Sequence, residues 1–306
     1  MKRLLRIFAS HLTMLGLALL ITAESVAAAE TLNVVASFSI LGDMTQRVGG
    51  DRVQVHTLVG PDADAHVFQP TPADAKTLAR AKLVIVNGFG FEGWISRLVK
   101  SSGYQATVLT ASTGIKTLRS EDPHDKQNLG AGIDPHAWQD LANALIYVDN
   151  IALALGNADP EGKASYLKNA ESYKQEISQL DGEIRKSLAS VAIEKRKVIT
   201  SHDAFGYFSR AYGVKFIAPL GINTEAEASA ADIGRIIQQI RREKIPAVFM
   251  ENISDPRLLE RIRQESGARI GGTLFSDALS KAEGAAPSYL AMMRYNAKTL
   301  AAALSN

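Results

Sequence analysis

Residues 53–88, VQVHTLVGPDADAHVFQPTPADAKTLARAKLVIVNG, contain a β-rich run, a loop, a helical pattern and a second β-rich run. The loop between Gly60 and Pro72 holds three prolines and two aspartates, so it can form neither a helix nor a central strand. One histidine, His66, stands inside it. Strand, helix and strand in this order predict two parallel strands, and ligand-binding groups gather on the loops at the carboxyl ends of such strands.

The same alternation continues on both sides of this stretch. The β-rich run 32–38 leads into the amphipathic run 39–49, and β-rich runs alternate with helical patterns from residue 197 to residue 279. This order predicts an α/β fold with two lobes, each a mostly parallel sheet with helices on both faces. In the second half the predicted strands are 197–203, 214–220, 246–252 and 269–279, and the predicted helices are 204–213, 231–244 and 255–267.

A long helix is predicted between the lobes, over residues 159–191. The segment has its proline at the start, none inside, and apolar residues at steps of three, four and seven. About 30 residues at 1.5 Å per residue would span about 45 Å, enough to brace both lobes. The alternative is two helices that meet near Asp181 and Gly182. The predicted lobes are then residues 30–158 and 192–306.

Residues 1–29 have the pattern of a secretory signal peptide. A basic start with Lys2, Arg3 and Arg6 precedes an apolar run too short to span a bilayer, and residues 27–29, AAA, form a small-residue cleavage site. An uncleaved anchor is the alternative. The chain contains no cysteine, so it offers no lipid attachment point and no disulfide. We expect a soluble periplasmic protein that is not a lipoprotein.

Composition excludes two broad classes. The chain is 46% hydrophobic and 22% charged, as an ordered globular protein is. Of its 34 Lys and Arg, three lie in residues 1–29, and of its 32 Asp and Glu, one does, which leaves 31 of each sign. No block of basic residues stands out in the sequence. The electrostatic footprint of a protein that binds nucleic acid or an anionic membrane is therefore missing.

Three histidines stand at or just beyond the ends of predicted elements. His66, His136 and His202 each have an acidic neighbour. Taken singly, each is accounted for as a loop or capping residue; taken together they favour a metal ion, because neutral imidazole is the commonest protein ligand of first-row ions. Closed zinc sites are four-coordinate, and Asp277, just past a predicted strand, is the candidate fourth ligand. An N-cap role is the alternative for Asp277.

Several further motifs occur in an order that is specific to one family. They are GPDADAHVFQPTPAD, DPHAWQD, the long helix with its tyrosines, TSHDAFGYFSRAYG, INTEAEASAADI, AVFMENISD, TLFSDALS and SYLAMMRYNAKTLAAAL. Over nearly the whole chain after residue 29, the sequence resembles the metal-binding solute-binding proteins of ATP-binding-cassette (ABC) importers, cluster A-I (cluster 9), which carry zinc, manganese or iron.

The resemblance implies a fold, a site and a function. The fold would be two Rossmann-like α/β lobes joined by a long rigid backbone helix, with the metal in the cleft between them. The ligands would be His66 and His136 from the first lobe and His202 and Asp277 from the second. The function would be high-affinity capture of a divalent metal and delivery to the membrane permease of an importer. A periplasmic metallochaperone is a further expected partner, and the protein is expected to be a monomer and not an enzyme.

The ligand types bear on which metal is carried. Three imidazoles and one carboxylate suit tetrahedral Zn²⁺, whereas manganese prefers more oxygen donors and more ligands. We expect zinc, with manganese or iron as the alternative. Many zinc-importing relatives carry a long His-rich insertion where this chain has only the loop 118–133. In that loop Asp122, His124 and Asp125 are candidates for a weak secondary metal site, and a plain polar loop is the alternative.

Side chains that contact the ligands without binding the metal are expected to orient the imidazoles. Asp62, Asp64, Asp134, Asp203 and Glu251 are near enough to the ligands in sequence to be considered, and for most of them a solvated or capping role is the alternative.

Two other classes of function are weaker alternatives. A periplasmic zinc metallohydrolase would need an open coordination position and a general base, for which Glu251 is the candidate. The sequence contains no H-E-x-x-H motif, and four protein ligands leave no position for a substrate. A surface adhesin is weaker still, because no exposed aromatic or basic patch is evident.

Overall fold

A computed structural model describes residues 31–119, 132–222, 224 and 228–305. The predicted signal peptide therefore lies outside the described residues. The described chain forms two four-stranded sheets, and every strand pairing in them is parallel. The strands are β1 (Leu32–Phe38), β2 (Val53–Val59), β3 (Leu83–Val86), β4 (Thr107–Thr110), β5 (Lys197–Ile199), β6 (Lys215–Ile217), β7 (Ala247–Glu251) and β8 (Arg269–Leu274).

Helices connect these strands, as the alternation in the sequence predicts. They are α1 (Ser39–Gly49), α2 (Pro72–Ala79), α3 (Ile95–Ser102), α4 (Leu141–Ala158), α5 (Lys163–Ala189), α6 (Gly206–Tyr212), α7 (Ala230–Glu243), α8 (Pro256–Ser266) and α9 (Tyr289–Leu304). Helix α4 is long and apolar enough to cross a membrane by composition, but 56% of it is buried, as in a core helix of a globular protein. The two-lobe α/β fold is thus confirmed, while the residue boundaries of the lobes stay a prediction.

Both sheets have the same strand order. The first is β2-β1-β3-β4 and the second is β6-β5-β7-β8, so the order along the chain reverses between β1 and β3 and again between β5 and β7. In a doubly wound sheet, such a reversal opens a crevice at the carboxyl ends of the strands, and ligands bind there. The loops after β2, β5, β7 and β8 all start at this edge of their sheets.

Helix α5 is the brace that the sequence predicts. It runs unbroken for 27 residues, about 40 Å at 1.5 Å per residue, and it passes through Asp181 and Gly182 without interruption, so the alternative of two helices is wrong. It packs against α1, α4 and α9. The residues that it buries recur at helical spacing and are Tyr166, Ala170, Tyr173, Ile177, Leu180, Ile184 and Leu188.

The apolar core has two parts. The larger one joins the first sheet, α4, α5 and α9 and extends to α6 and the end of β8. The smaller one fills the space between the second sheet and helices α7 and α8, and includes Ile199, Ile237, Val248 and Ile262. Since the larger core reaches residues of both sheets, it holds the two carboxyl edges in place around the cleft.

Candidate metal centre

Four side chains converge between the two sheets, and they are the four that the sequence singles out. One donor atom from each of His66, His136, His202 and Asp277 lies within 4.8 Å of all the others. His66 Nε2 is 3.3 Å from His136 Nε2 and 3.2 Å from Asp277 Oδ2. His202 Nε2 is 3.2 Å from Asp277 Oδ2, and His136 Nε2 is 3.5 Å from Asp277 Oδ1. All four residues are buried.

Three of these separations match edges of a coordination tetrahedron, and the fourth, 3.5 Å, runs to the other oxygen of Asp277. The centre of a regular tetrahedron lies about 0.61 edge lengths from each corner, so edges of 3.2–3.3 Å correspond to a central atom about 2.0 Å from each donor. That is the length of zinc–imidazole and zinc–carboxylate bonds. The donor set therefore fits one first-row ion.

The two first-lobe histidines are presented by the same local motif, Asp-x-His. The backbone N–H of His66 donates to Asp64 Oδ1 at 2.8 Å, and that of His136 donates to Asp134 Oδ1 at 2.9 Å. A short aspartate side chain readily accepts a hydrogen bond from the backbone two residues on, and the resulting turn aims the histidine. Trp94 Nε1 adds a bond to the carbonyl before His66, at 2.8 Å from Ala65 O.

Two carboxylates orient imidazole rings. Asp134 Oδ1 is 2.8 Å from His136 Nδ1, and Glu251 Oε2 is 2.6 Å from His202 Nδ1. Glu251, at the end of β7, also accepts hydrogen bonds through Oε1 from Ser201 N, Ser201 Oγ and His202 N. In both rings this contact leaves Nε2 as the nitrogen that faces the centre of the site, as in carboxylate–histidine–metal arrangements.

Asp62 and Asp64 face other groups. Asp62 Oδ1 accepts from Asn252 Nδ2 at 3.1 Å, and Asp64 Oδ2 accepts from Thr224 Oγ1 at 2.5 Å. The backbone N–H of Asp62 donates to Leu279 O at 2.9 Å. Asp62, a candidate from the sequence for orienting an imidazole, instead ties the loop that carries His66 to the second half of the chain.

Sequence reasoning missed these partners of the His66 loop. Asn252 lies 190 residues from Asp62, and Thr224 lies 160 residues from Asp64. No local pattern signals a pair at such a separation. The positive φ of Asp62, 54°, marks a tight turn that short polar residues tolerate, and an aspartate in a Gly- and Pro-rich loop is a weak signal of it.

The electrostatics of the site follow from burying opposite charges together. Burial opposes protonation of His136, but Asp277 and Asp134 together outweigh it and raise its pKa to about 9. Burial likewise opposes protonation of His202, and Glu251 and Asp277 raise its pKa well above the ordinary value. For Asp277, burial favours the neutral form, but His202 and His136 hold its pKa well below the usual range. Without a metal ion, protons on these two imidazoles offset the charge of Asp277 and of the carboxylates that contact their Nδ1 atoms.

His66 differs from the other ligand candidates in both charge and exposure. Burial lowers its pKa, against the opposing effect of Asp277, so it is the imidazole that stays neutral. Its exposed fraction is 7%, whereas His136, His202 and Asp277 are at 0%. A cavity of about 330 Å³, lined in part by Phe68 and Trp94, lies beside it. His66 is thus the side of the site that is nearest to solvent.

The other predicted metal-binding residues are placed as follows. His56 lies on β2, is exposed, and is not part of the four-residue group. Asp122, His124 and Asp125, the predicted secondary site, lie outside the described residues. Hydrogen bonds hold the described residues on either side of this segment. Asp134 N donates to Leu118 O at 2.8 Å, and Leu118 N donates to Tyr207 Oη at 2.9 Å.

The family model for ZnuA, described as zinc-uptake complex component A periplasmic, matches residues 34–303. The chain belongs to this family. The manganese ABC transporter substrate-binding lipoprotein PsaA of Streptococcus pneumoniae is 33% identical over 288 residues, 92% of each chain. The metal ABC transporter substrate-binding lipoprotein FimA of Streptococcus parasanguinis is 32% identical over 100% of each chain.

Solved structures agree with the fold. The periplasmic zinc-binding protein TroA of Treponema pallidum has a TM-score of 0.83 and 29% identity, covering 90% of this chain and 100% of that one. The manganese-bound periplasmic metal-binding protein of Candidatus Liberibacter asiaticus has a TM-score of 0.79 and 31% identity, covering 89% and 98%. These relatives are binding proteins, and the substrate-binding proteins of metal ABC transporters, to which this chain belongs, are not enzymes.

The comparisons correct one expectation. PsaA and FimA are named as lipoproteins, which contradicts the prediction of a free periplasmic protein that is not a lipoprotein. That prediction rested on the lack of cysteine in this chain. A residue count was the wrong basis for a location.

The raised imidazole pKa values predict how the metal-free protein responds to pH. A histidine whose pKa is raised to about 9 on folding stabilises the folded state fully below about pH 6.5, and this contribution is lost as pH rises through 9. We expect the free energy of unfolding of the metal-free protein to fall between pH 6.5 and 9, measured by urea titration. Asp134→Asn should flatten the trend, because it removes a carboxylate that raises the pKa of His136. A parent protein as stable at pH 9 as at pH 6.5 would contradict the description of the site.

Proposed function

We propose that this protein captures one divalent transition-metal ion with His66, His136, His202 and Asp277 and delivers it to the permease of an ABC importer. The observation that supports the ligand set most is the convergence of three imidazole nitrogens on one carboxylate, with separations of 3.2–3.5 Å between the atoms. His66 Nε2 and His136 Nε2 face each other at 3.3 Å, and both lie beside the carboxylate of Asp277. A cation at the centre gives every one of these donors a partner.

Zinc is the cargo that we propose. Three nitrogen donors and a carboxylate are the ligand types of zinc sites, and the spacing fits bonds of about 2.0–2.1 Å. Manganese is the second candidate, and one observation favours it: Asp277 Oδ1 has no hydrogen-bond partner among the described residues and lies 3.5 Å from His136 Nε2. If both carboxylate oxygens bind, the site offers five donors, and higher coordination suits manganese better. Of the two relatives, PsaA is named as a manganese protein and TroA as a zinc protein.

A hydrolase is disfavoured by the same contacts. Catalytic zinc keeps an open position for water, whereas four protein donors surround this site. Glu251, the residue that we considered as a general base, is buried and already bound to His202 and Ser201. It is placed to hold an imidazole and not to reach a substrate.

The proposed route of the metal runs past His66. This residue is the least buried of the four, and its loop is tied to the second lobe by side chains and one backbone bond. A ligand shifts a conformational equilibrium only through its differential affinity, so the permease must supply the contacts that open this loop. The class implies an ATPase beside the permease. A metallochaperone as a further partner, and the monomeric state, stay predictions.

Removing single ligands tests the proposed site. His66→Ala, His136→Ala and His202→Ala should each largely abolish the stabilisation by zinc. In the parent protein, zinc at a thousandfold excess over Kd should raise the free energy of unfolding by about 4 kcal/mol, which corresponds to a rise in Tm on the order of 10 °C. Asp277→Ala should keep part of the shift, because three imidazoles can hold zinc with a water in the fourth position. The measurement is thermal unfolding with and without zinc.

His56→Ala is the matched control, since His56 is an exposed imidazole on β2. It should leave the zinc shift intact, and so should His124→Ala. Loss of zinc binding in His124→Ala, with His136→Ala unaffected, would show that the ligand assignment is wrong.

Which metal is carried needs a test in cells, because the Irving–Williams order lets zinc outcompete manganese at nearly any N/O site in vitro. A strain that lacks the gene should grow poorly under metal restriction, and added zinc should restore growth where equal manganese does not. The protein isolated from cells should carry one zinc ion by native mass spectrometry. If manganese restored growth and zinc did not, the cargo would be manganese and not zinc.

A further inference from the structure

Asp277 is held differently from the imidazoles that it faces. His136 and His202 are each oriented by a carboxylate on Nδ1. The Asp277 carboxylate has no such partner among the described residues: Oδ1 accepts no hydrogen bond, and Oδ2 contacts the Nε2 atoms of His66 and His202. Apart from its contacts with the imidazoles, its direction is set through its backbone.

The backbone before Asp277 is gripped by two side chains from the other half of the chain. Ser276 O accepts from Trp138 Nε1 at 3.0 Å and from Gln139 Nε2 at 2.8 Å. Trp138, Gln139 and Ser276 are all at 0% exposure. Two buried donors on one carbonyl fix the orientation of the peptide that joins Ser276 to Asp277, since a buried donor without its acceptor costs free energy.

Neighbouring bonds hold the rest of this segment. Asn296 on α9 accepts from Phe275 N at 2.9 Å and donates to Phe275 O at 2.7 Å. Leu279 N donates to Ser39 Oγ at 3.0 Å. Side chains thus bind the backbone on both sides of Asp277, and the grip on Ser276 is the bond nearest to the carboxylate.

Trp138 and Gln139 also belong to the peptide that carries His136. They lie in a short 3₁₀ helix, Ala137–Gln139, that begins directly after that histidine. The Trp138 ring meets the His136 ring edge to face, with 5.3 Å between centroids. One rigid turn therefore presents the His136 imidazole and fixes the backbone of the residue before Asp277.

We infer that Trp138 and Gln139 are positioning residues that aim the Asp277 carboxylate and so set how many of its oxygens reach the metal. This inference rests on the proposed function, because it takes Asp277 as a ligand. Held as it is, Asp277 points Oδ2 at two imidazoles and Oδ1 at the third. If the backbone before Asp277 were no longer held, the carboxylate would turn, and the number of its oxygens that bind the metal would change. Zinc and manganese prefer different coordination numbers.

Because both donors serve one acceptor, their effects should not add. After Gln139→Met or Trp138→Phe, the other donor still holds Ser276 O, so each single variant should weaken zinc binding less than about 10-fold. Without both donors the loss should approach the upper end of the roughly 10- to 100-fold range typical of outer-shell changes. Methionine and phenylalanine keep most of the buried volume, which limits damage to packing.

The experiment measures zinc affinity by chelator competition and the visible absorption of the Co²⁺-loaded protein, which responds to coordination number and geometry. Parent, both single variants, the double variant and Asp277→Ala are compared, with Tm of each metal-free protein. Asn150→Leu is the control, because Asn150 Nδ2 binds the backbone carbonyls of Ala111 and Thr113, at 2.8 and 2.9 Å, and neither is a neighbour of a ligand in sequence.

We expect the double variant to lose affinity by more than the product of the single losses and to shift the Co²⁺ spectrum, while Asn150→Leu changes neither. An unchanged spectrum in the double variant, with affinity falling only as metal-free Tm falls, would reduce the pair to a structural role and overturn the inference. If the double variant does not fold, the single variants give the same test at lower amplitude. If Asp277→Ala had the same zinc affinity and the same Co²⁺ spectrum as the parent protein, the proposed function would be overturned instead.

Discussion

Three imidazole nitrogens and one carboxylate share a buried space, and this arrangement needs positive charge at its centre. Burial alone would make the carboxylate neutral and keep the imidazoles uncharged. The protein does the opposite, since the pKa of Asp277 is held low and that of His136 is raised to about 9. In the metal-free state protons supply the charge. A divalent ion bound there would supply it better, because it would contact all four donors at once.

The fold supplies this geometry from distant parts of the chain. Both sheets reverse their strand order beside the cleft, and the loops at their carboxyl edges carry the ligands. Helix α5 spans about 40 Å and packs against α1, α4 and α9, so the elements that carry those loops have a common support. With such a support, release of the metal need not involve a large rotation of the lobes. The loop that carries His66 is tied across the cleft by a few hydrogen bonds and is the part best placed to open.

Local pattern predicts the elements well and their ends poorly, for a physical reason. The predicted strand 197–203 stops at Ile199, because Ser201 N and His202 N donate to the Glu251 carboxylate and not to a neighbouring strand. The predicted strand 269–279 stops at Leu274, because the Asn296 side chain takes over the backbone bonds of Phe275. Histidines in loops at strand ends identify the ligand candidates from sequence. Contacts such as Gln139 with Ser276, 137 residues apart, leave no local signal, and only the folded chain reveals them.

The central claim is that one metal ion occupies the space between these four side chains. Crystals of the zinc-loaded protein, measured on both sides of the zinc absorption edge, test it most directly. The account predicts one anomalous peak per chain, about 2.0–2.1 Å from Nε2 of His66, His136 and His202 and from an oxygen of Asp277. A zinc-saturated protein whose anomalous peak lies elsewhere, for instance on the loop with His124, would contradict it.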